Sequence, residues 1–160
     1  MTKTERGWER RKRPVQGRSR ATVGYVLESA AQLFGEFGYE GTTTNRVAER
    51  AGVSVGSVYQ YFPSKEALLV ALAERPLEEA REESVAALRG LQEEGLAPEE
   101  FFRAFIDFVV EFNRNQEPLH EVLYGEVTRS RRVMELVEEV NAACGVEVEV
   151  YLRERGLGGC

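Results

Sequence analysis

Histidine is nearly absent from this sequence: His120 stands alone in 160 residues, with no second histidine and no nearby cysteine to share a metal ion. Zinc centres draw on about three or four such ligands, so no metal site is expected. With one imidazole, general acid–base chemistry is left to carboxylates. There is also no Ser/His/Asp set and no glycine-rich phosphate loop, so the chain is not expected to be an enzyme or to carry a cofactor. Cysteine is scarce too. Cys144 and Cys160 permit one disulfide, but without an export signal both are expected to stay free thiols. No stretch approaches the ~18 consecutive apolar residues of a membrane span. The N-terminus is basic but lacks the apolar stretch of a signal peptide, so a cytoplasmic protein is expected.

The net charge of −6 argues against a nucleic-acid partner for the chain as a whole. Its distribution reverses that argument. Residues 1–65 carry 11 Lys/Arg against 6 Asp/Glu, whereas residues 66–160 carry 10 against 21. A basic head on an acidic body implies that only the head meets a polyanion. Eight of those basic residues fall in the first 20: Lys3, Arg6, Arg10, Arg11, Lys12, Arg13, Arg18 and Arg20. Residues 1–18 read as a flexible arm that lies along phosphates or in a minor groove.

The rest reads as helix, giving an all-α fold. Val23, Val26, Leu27, Ala30, Ala31, Leu33, Phe34 and Phe37 recur at steps of three and four, the mark of an amphipathic helix over about 25–38 with Gly38 as its stop. A threonine of the 42–44 run caps a second helix over 44–51, and Gly52 ends it. Ser54 caps a third over 54–61. Pro63-Ser64 breaks the chain again, and Ser64 opens a long charged helix with a kink or break expected at Pro76. Gly95 and Pro98 mark a loop and a new start. Phe101, Phe105, Phe108 and Phe112 then share one helical face, beside Phe102, Ile106 and Val109. Two further helices are expected, from Glu117-Pro118 to about Val127 and from Arg131 to about Arg155. Val146, Val148 and Val150 alternate as a strand would, but no second strand is available to pair with them.

Function concentrates in residues 44–58. Two short helices that cross closely need a small residue inside the first, Ala48, and a turn residue that takes positive φ, Gly52. An apolar residue of the second, Val58, locks onto the first. Val47, Ala51, Val53 and Phe62 complete that core. The outward face of the second helix is small: Val55, Gly56 and Ser57 have little bulk, which suits a helix approaching base edges in a major groove. Tyr59 and Tyr61 flank it with hydroxyls suited to phosphates. Lys65 sits where a helix N-terminus already favours an anion.

The segment TTTNRVAERAGVSVGSVYQYFPSKEALLVAL, residues 42–72, together with LESAAQLFGEFGYEGTTT before it, closely resembles the DNA-binding signature of TetR/AcrR-type regulators. The resemblance covers roughly residues 19–72. It implies a three-helix helix-turn-helix domain over 19–65 and a helical ligand-binding and dimerisation domain over 66–160. It also implies a homodimeric repressor that leaves operator DNA when a small hydrophobic ligand binds. Matching positions carry the family's roles here. Thr44 and Asn45 open the supporting helix; Val55, Gly56 and Ser57 face bases; Gln60 reaches a base or phosphate; Tyr59, Tyr61 and Lys65 hold the backbone.

In the acidic body, the phenylalanine face is first of all bundle core. A pocket among the same residues would be lined by Phe105, Phe108, Phe112, His120, Tyr124 and Met134. Family members usually continue for two further long helices that form the subunit interface, whereas this sequence passes from Tyr151-Leu152-Arg153-Glu154-Arg155 into a glycine-rich end. The effector domain is therefore expected to be short. Three alternatives stay open: pairing through other surfaces, a DNA-binding module without effector response, or a partner for a longer homologue.

Overall fold

The computed structural model describes residues 17–114 and 130–157. The arm before Gly17, the helix expected over 117–127 with His120 and Tyr124, and Cys160 lie outside these residues. Six helices are described: α1 (Gly17–Gly41), α2 (Thr44–Arg50), α3 (Val55–Tyr61), α4 (Lys65–Glu93), α5 (Pro98–Arg114) and α6 (Arg131–Glu154). The all-α expectation is met, and the alternating valines at 146–150 lie within α6. Val148 packs inward there, while Val146 and Val150 stay exposed.

α1 begins at Gly17, earlier than the expected Tyr25. Residues 17–20 are polar or glycine, so apolar spacing gives no signal there. At its other end Gly38 takes φ 68° and interrupts the helix, a left-handed conformation that glycine adopts without strain. Thr42 then turns its hydroxyl inward, where it is fully buried, 2.9 Å from the Gly38 carbonyl and 3.0 Å from that of Leu33. That hydroxyl adds a donor near the end of α1, where the helical pattern is interrupted at Gly38.

Of the kink or break expected at Pro76, the break does not occur: α4 runs through it for 29 residues. Proline forgoes one backbone bond, to the Leu72 carbonyl, and costs about 3 kcal/mol in a helix interior. Buried residues anchor α4 on both sides of it, Leu68, Leu69, Val70 and Ala73 before and Leu88 after. Burying each such leucine or valine is worth about 1.5–3 kcal/mol, enough to carry the helix across.

The chain divides into two compact units, with boundaries after Glu74 in α4 and after Met134 in α6. In the first, Val26, Ala30, Leu33 and Phe34 of α1 join Val47 and Ala48 of α2, Val58 of α3, and Phe62 in a buried core. Leu68 and Leu69 of α4 and Val133 at the start of α6 are buried in the same unit. Ser130, itself buried, caps α6 and donates its hydroxyl to Glu66 Oε1 at 2.9 Å. Phe37, counted among the apolar positions of α1, is instead 45% exposed, with the Arg46 guanidinium 3.9 Å over its ring.

The second unit is built on Leu88, Phe101 and Tyr151, all fully buried. The Phe101 and Tyr151 rings stack with centroids 3.7 Å apart, and the Tyr151 hydroxyl donates to the Leu96 carbonyl at 2.9 Å. The buried Glu147 accepts from Arg89 Nη2 at 2.7 Å and Nε at 3.0 Å. That hydrogen-bonded guanidinium holds the Glu147 carboxyl below its usual 4.5. A depressed carboxyl contributes stability above its unfolded pKa and loses it as pH falls through the folded value. Glu147→Gln should therefore cost about 0.5–1.5 kcal/mol at pH 7. Urea unfolding at several pH values should show that gap closing as pH drops below about 4.5, and a gap constant down to pH 3 would show that the pair contributes nothing through its charge.

Candidate nucleic-acid interface

The turn between α2 and α3 is set by Gly52. It takes φ 66°, its N–H donates to the Glu49 carbonyl at 3.2 Å, and the next N–H, of Val53, donates to the Ala48 carbonyl at 3.0 Å. This paired closure satisfies the last carbonyls of α2 and fixes the direction in which the chain leaves it. Ser54 opens α3, its Oγ accepting from the Ser57 N–H at 3.1 Å. Thr43 and Ser64 cap α2 and α4 in the same way, accepting from Arg46 N–H at 3.3 Å and Ala67 N–H at 3.1 Å.

With both ends fixed, α3 can bury only one side. Val58 and Tyr61 go inward, at 0% and 8% exposure. Val55, Gly56, Tyr59 and Gln60 stay exposed. Position by position, the expected site residues separate. Asn45 is exposed and Thr44 half-buried at the start of α2. Thr44 Oγ1 lies 2.9 Å from the Tyr59 hydroxyl, so these two residues are brought together across the helix pair. Ser57 is half-buried, its hydroxyl 2.8 Å from that of Ser54. Tyr61 is set apart from the others, because its ring belongs to the core.

Lys65 serves the scaffold as well. Its ammonium donates to the Tyr39 carbonyl at 2.6 Å, lies 4.0 Å from the centroid of that ring, and has the Glu40 carboxylate 3.9 Å away. The Tyr39 ring in turn stacks on Phe34. The arginines of α2 are likewise engaged. Arg46 donates to the Gly41 carbonyl at 2.7 Å, and Arg50 pairs both of its terminal nitrogens with Glu36 of α1. That hydrogen bond lowers the Glu36 carboxyl below its ordinary value. These ties hold the corner between α1 and α2. They join residues up to 26 positions apart, and nothing in the sequence pattern announces them.

Two short helices crossing at a left-handed glycine, capped by serine and threonine, form a helix-turn-helix. Residues 26–72, which contain it, match the sequence profile of bacterial regulatory proteins of the tetR family. Over those residues the chain has a tetR-type head. Its relatives include the HTH-type transcriptional regulator RutR of Escherichia coli, 33% identical over 106 residues, or 66% of this chain and 46% of RutR. The HTH-type transcriptional repressor AcnR of Corynebacterium diphtheriae is 43% identical over 68 residues, 42% of this chain and 35% of AcnR. The matched part is thus less than half the length of either relative. A tetR-family regulator from Mesorhizobium loti shares the fold, with a TM-score of 0.62 over 88% of this chain and 72% of that one at 19% identity.

The tetR head contains two glycines with opposite demands. At Gly52 any side chain meets an unfavourable backbone. At Gly56 an added Cβ finds only Ser54 Oγ, at an ordinary 3.8 Å. Gly52→Val should destabilise the head by about 1–3 kcal/mol. Gly56→Ala should leave stability unchanged or raise it by up to about 1 kcal/mol, since alanine favours helix. Thermal unfolding of the two variants separates the cases, and equal melting temperatures would place the turn elsewhere.

Proposed function

We propose that this chain is a transcriptional repressor that sets the exposed face of α3 into the major groove of operator DNA, in the cytoplasm. The observation that carries the reading is the state of Gly56. It is exposed on the first turn of a capped helix, and nothing among the described residues requires a glycine there. A missing side chain that the fold does not need is what close approach to a base edge does need. Val55, Gly56 and Ser57 meet bases, with Gln60 and Asn45 at the rim. The linked hydroxyls of Thr44 and Tyr59 have two protons and use one between them, leaving the other for a phosphate oxygen. Lys65 spends one of its three N–H donors on Tyr39 and offers the rest to the backbone. Tyr61 fits this interface only through whatever part of its hydroxyl clears the core.

One such head covers a single half-site, so two copies are needed to reach operator affinity. Release by a small apolar ligand belongs to the same proposal. The half-buried ladder Phe105, Phe108 and Phe112, with successive ring centroids 6.2 and 6.0 Å apart, offers it one wall. Met134 is 40% exposed near the start of α6.

The reading is tested by selecting bound duplexes from a random pool with the full chain and measuring affinity against salt. Tyr59→Phe should weaken binding on every sequence by about 2- to 10-fold at all salt concentrations, because a lost neutral hydrogen bond releases no counterions. Deleting residues 1–16 removes six basic and two acidic residues. That deletion should flatten the salt slope while the preferred sequence stays the same. A chain that selects no duplex, or a deletion that changes the selected sequence, contradicts the reading.

A further inference from the structure

We propose that α3 reads adenine–thymine pairs rather than guanine, with a thymine methyl against Val55 and an adenine edge against Gln60; this rests on the DNA-binding reading above. Guanine offers two acceptors in the major groove, O6 and N7, and is read above all by the paired donors of arginine or by lysine. From Ala51 to Ser64 the chain has no lysine, arginine, aspartate or glutamate. The whole turn and reading helix are therefore uncharged.

The cations that flank this segment in the sequence, Arg46, Arg50 and Lys65, are engaged elsewhere. Arg46 is held on the Gly41 carbonyl at 2.7 Å and over the Phe37 ring at 3.9 Å. Arg50 is paired with Glu36. The Lys65 ammonium rests on the Tyr39 carbonyl at 2.6 Å. Moving any of them to a base edge would break a contact that holds the corner between α1 and α2.

Apart from the Tyr59 hydroxyl, what α3 exposes is apolar or amide. Val55 is 36% exposed at its first residue, and Gly56 beside it is bare. Apolar side chains at a major-groove edge match the C5-methyl of thymine, which cytosine lacks. Gln60 lies one turn after Gly56 and is exposed. Residues four apart share a helix face and helical side chains lean toward the N-terminus, which puts Gln60 on the same face as the empty Gly56 position. A glutamine amide pairs with adenine by accepting from N6 and donating to N7. Ser57, the remaining candidate, shares its hydroxyl with Ser54 at 2.8 Å and adds little discrimination.

The experiment uses the full chain and duplexes recovered from a random pool. Two changes are then made on the DNA alone: deoxyuridine for thymine, which removes only the methyl, and 7-deazaadenine for adenine, which removes only N7. The recovered core should be adenine–thymine. Deoxyuridine at the position facing Val55 should weaken wild-type binding about three- to fivefold and leave Val55→Ala binding unchanged. The 7-deaza base should weaken wild-type binding about 5- to 100-fold and leave Gln60→Ala binding unchanged. Because the probes alter only the DNA, a misfolded variant cannot produce the wild-type losses. A recovered core of guanine–cytosine pairs, or wild-type indifference to both probes, overturns the assignment while the DNA-binding reading stands. Recovery of no duplex at all overturns both.

Discussion

The left-handed backbone of Gly52 is the constraint on which the rest of the head depends. Both backbone bonds that close α2 pass through or beside it, and together they set the angle at which α3 leaves. Once that angle is set, Val58 has to lie against α2, and the opposite side of α3 has to face solvent. The exposure of Val55, Gly56, Tyr59 and Gln60 follows from a turn and one buried valine. It requires no force on the exposed residues themselves. The surrounding ties, Arg50 on Glu36 and Lys65 on Tyr39, stiffen the frame in which this happens.

Short-range features of the head were legible in the sequence because their causes are local. The caps at Thr43, Ser54 and Ser64 and the stop at Gly52 each depend on residues within a single turn, and the Ala48–Gly52–Val58 spacing encodes the crossing. Side-chain fates that depend on rotation around a helix were less legible. Tyr59 and Tyr61 look alike as flanking hydroxyls, but two residues turn a helix by about 200°, which sends one ring outward and the other into the core. Long-range ties were not legible at all. Nothing in the pattern connects Lys65 to the carbonyl of Tyr39, or the Thr42 hydroxyl to that of Leu33. Pro76 was misleading for a related reason. Its local cost is real, but packing on both sides of α4, which the residue's own neighbourhood does not reveal, outweighs it.

The second unit repays the aromatic pattern only in part. Phe101, the first member of the stripe, is stacked on Tyr151 and belongs to the core, and Phe105 packs against the same cluster. Phe108 and Phe112 continue the row while remaining half-buried. The bundle-core reading thus accounts for the start of the stripe, and the ligand wall proposed above would draw on its end. Acidic residues on the surface of this unit, among them Glu78, Glu82, Glu93, Glu138 and Glu149, keep it unfavourable for phosphates. The separation of roles along the chain is therefore electrostatic as well as structural.

The central claim is that DNA meets the outward side of α3 on a scaffold that does not rearrange to receive it. A titration of the isotope-labelled full chain with a bound duplex, followed by amide NMR, tests this most directly. The account predicts shifts concentrated at residues 44–45 and 55–60, with the amides of Val26, Leu33 and Phe34 in the α1 core unmoved. Shifts centred on α5 and α6, or spread through the α1 core while those of Val55–Gln60 stay in place, would contradict it.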